Sequence, residues 1–109
     1  METIDRPNCP VMRSLKVIGD QWSLLIIRDL LLLGPRRFQD LLVGLGTNPN
    51  TLSARLKKLT DAGVIERNFY SDHPPRAEYQ LTSAGKKLGP IVKGLREWGE
   101  AHTPSIKPD

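Results

Sequence analysis

Phe38-Gln39-Asp40-Leu41-Leu42-Val43-Gly44-Leu45-Gly46-Thr47-Asn48-Pro49-Asn50-Thr51-Leu52-Ser53-Ala54-Arg55-Leu56-Lys57-Lys58-Leu59-Thr60-Asp61-Ala62-Gly63 is the stretch on which the fold turns. Phe38, Leu41 and Leu42 fall at helical spacing, which predicts a short helix over about 38–43. Gly44 to Thr47 then reads as a turn. Asn48-Pro49 supplies a cap and a proline in the first helical position. Leu52, Leu56 and Leu59 recur at i, i+4 and i+7, so a second helix is expected over 49–62, with Gly63 placed to end it. Two short helices joined by a glycine-containing turn make a helix-turn-helix.

Upstream, Cys9-Pro10 opens an expected helix that ends at Gly19, with Val11, Leu15 and Ile18 on one stripe. Asp20 is a good cap for a helix over 21–33, closed by Gly34-Pro35. That helix is apolar almost all round and is expected to be the central buried one. Downstream, the period switches from about 3.6 to 2. Ile65, Arg67 and Phe69 alternate with Glu66, Asn68 and Tyr70, and a second strand is expected over 77–81 after a turn at Asp72-His73-Pro74-Pro75-Arg76. Thr82 caps an expected long final helix to about His102. In it Leu88, Ile91, Leu95, Trp98 and His102 form a narrow heptad-like seam suited to another helix. Pro90 lies inside that helix and should bend it, or break it at Gly89-Pro90.

The element order is mainly α with a small two-stranded β-wing: a winged helix-turn-helix filling one domain over 9–107, behind a tail over 1–8. A chain of 109 residues has room for one domain only. Hydrophobic residues make up 39% and charged residues 26%, unlike a disordered tail. The longest apolar run, Leu30 to Leu33, is too short to span a bilayer, and Met1 to Asp5 lacks a signal peptide's basic start and apolar run. A cytoplasmic, nucleoid-associated protein is expected. One cysteine, Cys9, excludes an internal disulfide framework, and with His73 and His102 it gives no metal-ligand spacing. Gly44-x-Gly46 is not a phosphate loop, and no nucleophile framework is evident, so neither cofactor, metal nor catalysis is expected.

The net charge of +4 is unevenly placed. Residues 36–76 hold Arg36, Arg37, Arg55, Lys57, Lys58, Arg67 and Arg76 against Asp40, Asp61, Glu66 and Asp72. On the helix over 49–62, stepping about 100° per residue with the leucines inward puts Asn50, Ala54, Lys57 and Asp61 nearly opposite them. Thr51 and Lys58 flank one edge, Ser53 the other, and Arg55 lies near the core boundary. Asparagine can pair with adenine, and alanine or the threonine methyl can touch a thymine methyl. Lys57 and Lys58, further along, suit phosphates. Arg76 at the wing could reach an adjacent minor groove or phosphate, whereas His73 reads as a plain turn residue. Taken alone, the lysines make an ordinary solubilising face; with the polar N-terminal end and the basic wing they point to double-stranded DNA. The competing reading is a winged-helix module for protein–protein assembly without DNA binding.

Cys9-Pro10-Val11 and Ile18-Gly19-Asp20-Gln21-Trp22-Ser23-Leu24-Leu25-Ile26-Ile27-Arg28-Asp29-Leu30 resemble the opening of the HxlR-type winged helix-turn-helix regulators. Gly34-Pro35-Arg36-Arg37-Phe38-Gln39-Asp40-Leu41 resembles their third-helix entry, Asn50 to Leu59 their recognition helix, His73 to Thr82 their wing and Trp98-Gly99 their last helix. Asp20-Gln21 stands where the family more often shows Gly-Lys, and capping by Asp20 is a sufficient local reason. The resemblance implies a homodimeric bacterial transcription regulator, expected to act as a repressor on a two-fold symmetric operator. Its DNA contacts would be Asn50, Thr51, Ser53, Ala54, Arg55, Lys57 and Lys58, with Arg37 and Arg76 beside them. Its dimer would be built from the N- and C-terminal helices, with Leu15, Leu88, Ile91, Leu95 and Trp98. The resemblance also makes Cys9 a redox- or electrophile-sensing candidate, since some relatives sense oxidants through a cysteine at the matching position. A thiol at a helix N-terminus, with Arg6 and Arg13 near, has its thiolate favoured; the plain alternative is a packed, inert cysteine. An effector site between the dimer helices would have room for a small molecule that the sequence does not identify.

Overall fold

A computed structural model describes residues 8–106 of the chain. Arg6, most of the expected tail and residue 107 lie outside the described residues. The elements are α1 (Pro10–Ile18), α2 (Gln21–Leu33), α3 (Phe38–Leu45), α4 (Pro49–Asp61), β1 (Ile65–Asp72), β2 (Pro75–Leu81), α5 (Ser83–Lys86) and α6 (Gly89–His102).

Local chemistry sets most of the boundaries. Asp20 caps α2 by accepting the Ser23 N–H at 2.9 Å, and Asn48 caps α4 by accepting the Thr51 N–H at 2.9 Å. α3 runs two residues further than expected, to Leu45. The left-handed residue that ends it is Gly46 (φ 68°), not Gly44, and the two extra residues bring Leu45 against the core. The final helix is broken rather than continuous. Thr82 caps only the single turn of α5, and a new helix starts at Gly89 with Pro90 in its first turn, where a missing N–H costs nothing. The strands also reach further than expected, to Asp72 on one side and from Pro75 on the other, leaving only His73 and Pro74 between them.

α2 is the centre of the packing, touching α1, α3, α4, α6 and β2. Its Ile26, Ile27 and Leu30 meet Leu41 from α3, Leu52, Leu56 and Leu59 from α4, and Ile65 and Leu81 from the hairpin. The helix is not buried all round, however: Leu32 and Leu33 are exposed. The hairpin is antiparallel, with Ile65 opposite Leu81 and Arg67 opposite Tyr79, and a bulge at Tyr70. Arg36 adds a single bridge on the free edge of β2, exchanging backbone hydrogen bonds with Tyr79 at 2.9 and 2.7 Å. No described helix is long and apolar enough to cross a membrane.

Candidate nucleic-acid interface

α4 is fixed by its leucines. Leu52, Leu56 and Leu59 are fully buried, and this decides which face looks out. Asn50, Ser53, Ala54 and Lys57 are exposed; Thr51, Arg55 and Lys58, one edge of the helix at i, i+4 and i+7, are half-buried. The N-terminal half of the outer face therefore carries an amide, a hydroxyl and a methyl, with no bulky neighbour of its own. Cations follow in the second half.

Each of those cations already has a carboxylate. Lys57 Nζ lies 2.8 Å from Asp61 Oδ2, both well exposed. The half-buried edge instead faces the start of α2. There Arg55 Nε donates to Asp20 Oδ1 at 3.1 Å and Lys58 Nζ to Asp20 Oδ2 at 3.3 Å. The Ser23 hydroxyl donates to Asp20 Oδ2 at 2.7 Å. Partial burial of Asp20 pushes its carboxyl up, but the two Ser23 bonds, the Lys58 bond and the Arg55 charge outweigh it, and the pKa falls from 3.8 to about 2.

Arg37 stands exposed at the N-cap of α3, its N–H 3.3 Å and its Nε 3.5 Å from Asp40 Oδ2. Hydrogen bonding with Tyr70, then the Asp40 charge, raises its pKa. Arg76 is exposed on β2 beside the turn, opposite Ser71. Further along β1 the Arg67 guanidinium sits 4.8 Å over the exposed Phe69 ring.

The residues expected to pair subunits lie apart from this surface. On α6 Ile91, Leu95 and Trp98 are 48%, 51% and 61% exposed, and on α1 Val11 and Leu15 are 65% and 53% exposed, a helix face with no partner within the described chain. Leu88 differs: it packs against the core. The Trp98 and His102 rings meet in a tilted arrangement with centroids 5.1 Å apart. Between α2 and α6 runs an open apolar groove of about 1210 Å³, lined by Leu24, Leu25, Leu31, Leu32, Val92 and Leu95. Cys9 is half-buried at the N-cap of α1, and its thiol makes no capping hydrogen bond.

Sequence reasoning found Asp20 as a cap but missed its link to Arg55 and Lys58, 35 and 38 residues away. The only sequence signal was an acidic cap and a basic helix edge, which no spacing rule connects. Tyr70 and the Arg36–Tyr79 bridge were missed for the same reason.

A bundle around α2, a helix-turn-helix at α3–α4 and an antiparallel hairpin directly after it define a winged helix-turn-helix protein. The chain belongs to the HxlR-like helix-turn-helix family, which matches residues 17–107. It is 42% identical over 94 residues to an uncharacterized HTH-type transcriptional regulator of Mycobacterium tuberculosis, covering 86% of this chain and 59% of that relative's length. The fold is similar to that of the redox regulator HypR in its oxidized form (TM-score 0.79, 33% identity, 89% of this chain and 100% of that one). It is also similar to the reduced form of the transcriptional regulator YodB from B. subtilis (TM-score 0.71, 28% identity, 91% and 98%).

Proposed function

We propose that this chain is a sequence-specific DNA-binding transcription regulator, acting as a homodimer and repressing where its site overlaps a promoter. The observation that carries the reading is the outer face of α4, whose leucines are fully buried while Asn50, Ser53 and Ala54 are open to solvent. In a helix-turn-helix the N-terminal part of the second helix enters the major groove. There Asn50 would read a base edge, and Ala54 and Thr51 would lie against methyl groups. Lys57, Arg37 and Arg76 supply phosphate contacts around the groove, with Arg76 on the flanking backbone or minor groove. Arg55 and Lys58 sit at the same edge but are held by Asp20. The exposed α1 and α6 faces, with Leu15, Ile91, Leu95 and Trp98, are the dimer surface, and Leu88 supports it from the core side. The groove between α2 and α6 is where a small effector would act on that interface.

The test is a salt titration of duplex binding for the wild type and Ala54→Asp. The wild type should lose affinity with a log–log slope of about 0.9 per phosphate contacted. Footprints should show half-sites about one helical turn apart, or a multiple of it. Ala54 is exposed, so the substitution costs only about 0.5 kcal/mol of helix propensity, yet it sets a carboxylate against the DNA. Binding should be lost with helicity intact; retained affinity would refute the placement. A protein–protein assembly module would show no salt-dependent duplex binding at all.

A second reading concerns the signal. Cys9, half-buried at a helix start without a capping bond, is proposed as an oxidant-responsive thiol, and the similarity to a redox regulator supports this. Two Cys9 thiols from paired subunits would form one disulfide, peroxide taking their two electrons and two protons and leaving as two waters.

A further inference from the structure

Helix capping does not account for Asp20. A cap needs one acceptor, and the Ser23 N–H at 2.9 Å satisfies that need. Yet each carboxylate oxygen takes two donors. Oδ1 accepts from Ser23 N–H and Arg55 Nε, and Oδ2 from Ser23 Oγ and Lys58 Nζ. Ser23 is fully buried, so the carboxylate is fastened from beneath and cannot follow the cations outward. Both cations belong to the helix that would enter the groove, on the edge where its flank meets the sugar-phosphate chain. Two donors converging on two lone oxygens is also how a phosphate is bound.

We infer that Asp20 is a specificity-setting residue of DNA binding, an internal stand-in for phosphate that holds Arg55 and Lys58 against α2 and withholds them from the nucleic-acid backbone. The inference rests on the DNA reading given above. Sequence-independent affinity is made almost wholly of cation–phosphate pairs, each contributing about 0.9 to the salt slope. A phosphate approaching Arg55 or Lys58 must displace a carboxylate already seated, so the encounter exchanges partners instead of adding a pair. Base-edge contacts from Asn50 and Ala54 are untouched by that exchange. Asp20 therefore lowers binding to arbitrary sequence more than binding to the right one. As a positioning residue it also orients α4 on α2 from its outer edge, where the leucines do not reach.

The experiment uses the full chain, a fluorescein-labelled duplex of random sequence and a series of KCl concentrations. Three proteins are compared: wild type, Asp20→Asn and Glu97→Gln. Asparagine caps helices as well as aspartate, so Asp20→Asn removes the charge and leaves the cap. Glu97→Gln makes the same change of net charge on α6. The slope for Asp20→Asn should steepen by about 1 to 2, one step per released cation, with affinity at low salt rising on the order of ten-fold. Glu97→Gln should stay with the wild type. Without DNA, the Arg55 Nε–H resonance should be protected from solvent exchange in the wild type and lose that protection in Asp20→Asn. The clamp is refuted if Asp20→Asn and Glu97→Gln share one slope, if Asp20→Asn binds random duplex more weakly than wild type, or if the Arg55 resonance exchanges alike in both. A wild type that shows no salt-dependent binding refutes the DNA reading itself.

Discussion

Acid should weaken this fold through Asp20, and the size of the effect follows from the site. The folded carboxyl titrates at about 2 against an ordinary 3.8. Its side chain is 27% exposed, so most of the shift survives solvent screening. A difference of that size corresponds to about 2 kcal/mol of folding stability at neutral pH. Because the folded value lies below the unfolded one, the contribution is nearly complete above about pH 5, roughly half gone near pH 3, and absent below about pH 2. Asp20→Asn keeps the cap and discards the charge, so it isolates this quantity. Urea unfolding of both proteins, followed by far-ultraviolet circular dichroism across that pH range, measures the gap directly. The variant should lie about 2 kcal/mol below wild type at pH 7, and the two curves should converge as the pH falls toward 2. A gap that stays constant with pH, or that is negligible at pH 7, would show that the four donors around this carboxylate do not stabilise its charged form.

Other consequences can be checked separately. Leu95→Asp places a charge on the exposed α6 face, and light scattering should show dimers becoming monomers; an unchanged mass means that face does not pair subunits. A Cβ on Gly85 would clash with the Val64 carbonyl oxygen and lie 3.0 Å from Leu81 Cδ2, so Gly85→Ala should lower stability by about 1–3 kcal/mol, read as a shift of the urea midpoint. Unaltered stability would mean α5 can slide on the hairpin. Peroxide should change duplex binding of the wild type and leave Cys9→Ser unaffected; an equal response in both proteins would remove Cys9 from the signal.

Much of this architecture was legible because it is written in short range. Asp20, Asn48 and Thr82 each cap a helix within three residues, and each does so in the structure. The leucine triplet of α4 and the change of period at Ile65 are equally local. The expectations that shifted are those where tertiary packing outweighed local chemistry. Gly44 and Gly46 are equally able to end α3, and the burial of Leu45 selects Gly46. Leu88 fits a heptad by spacing, but the break before Gly89 turns it inward and leaves Ile91, Leu95 and Trp98 as the exposed set. The outer residues of α4 were assignable from a helical wheel. Whether its basic edge is free or occupied was not, because the occupant comes from another helix.

That occupation changes what the basic composition of the middle of the chain means. Arg55, Lys57 and Lys58 on α4 all carry internal carboxylate partners, and so does Arg37 at the head of α3. The partners differ in kind. Asp61 is largely exposed and Asp40 about a third exposed, and each holds a single exposed cation three or four residues away, so a phosphate can replace them at little cost. Asp20 is anchored to a buried serine and holds two cations at once, so it yields with difficulty. Under the proposed function, a surface graded in this way would attract any polyanion weakly and leave discrimination to the uncharged end of the helix. Counting lysines and arginines would rank this chain as an indiscriminate polyanion binder; the geometry of their partners is the ground on which we propose a selective one.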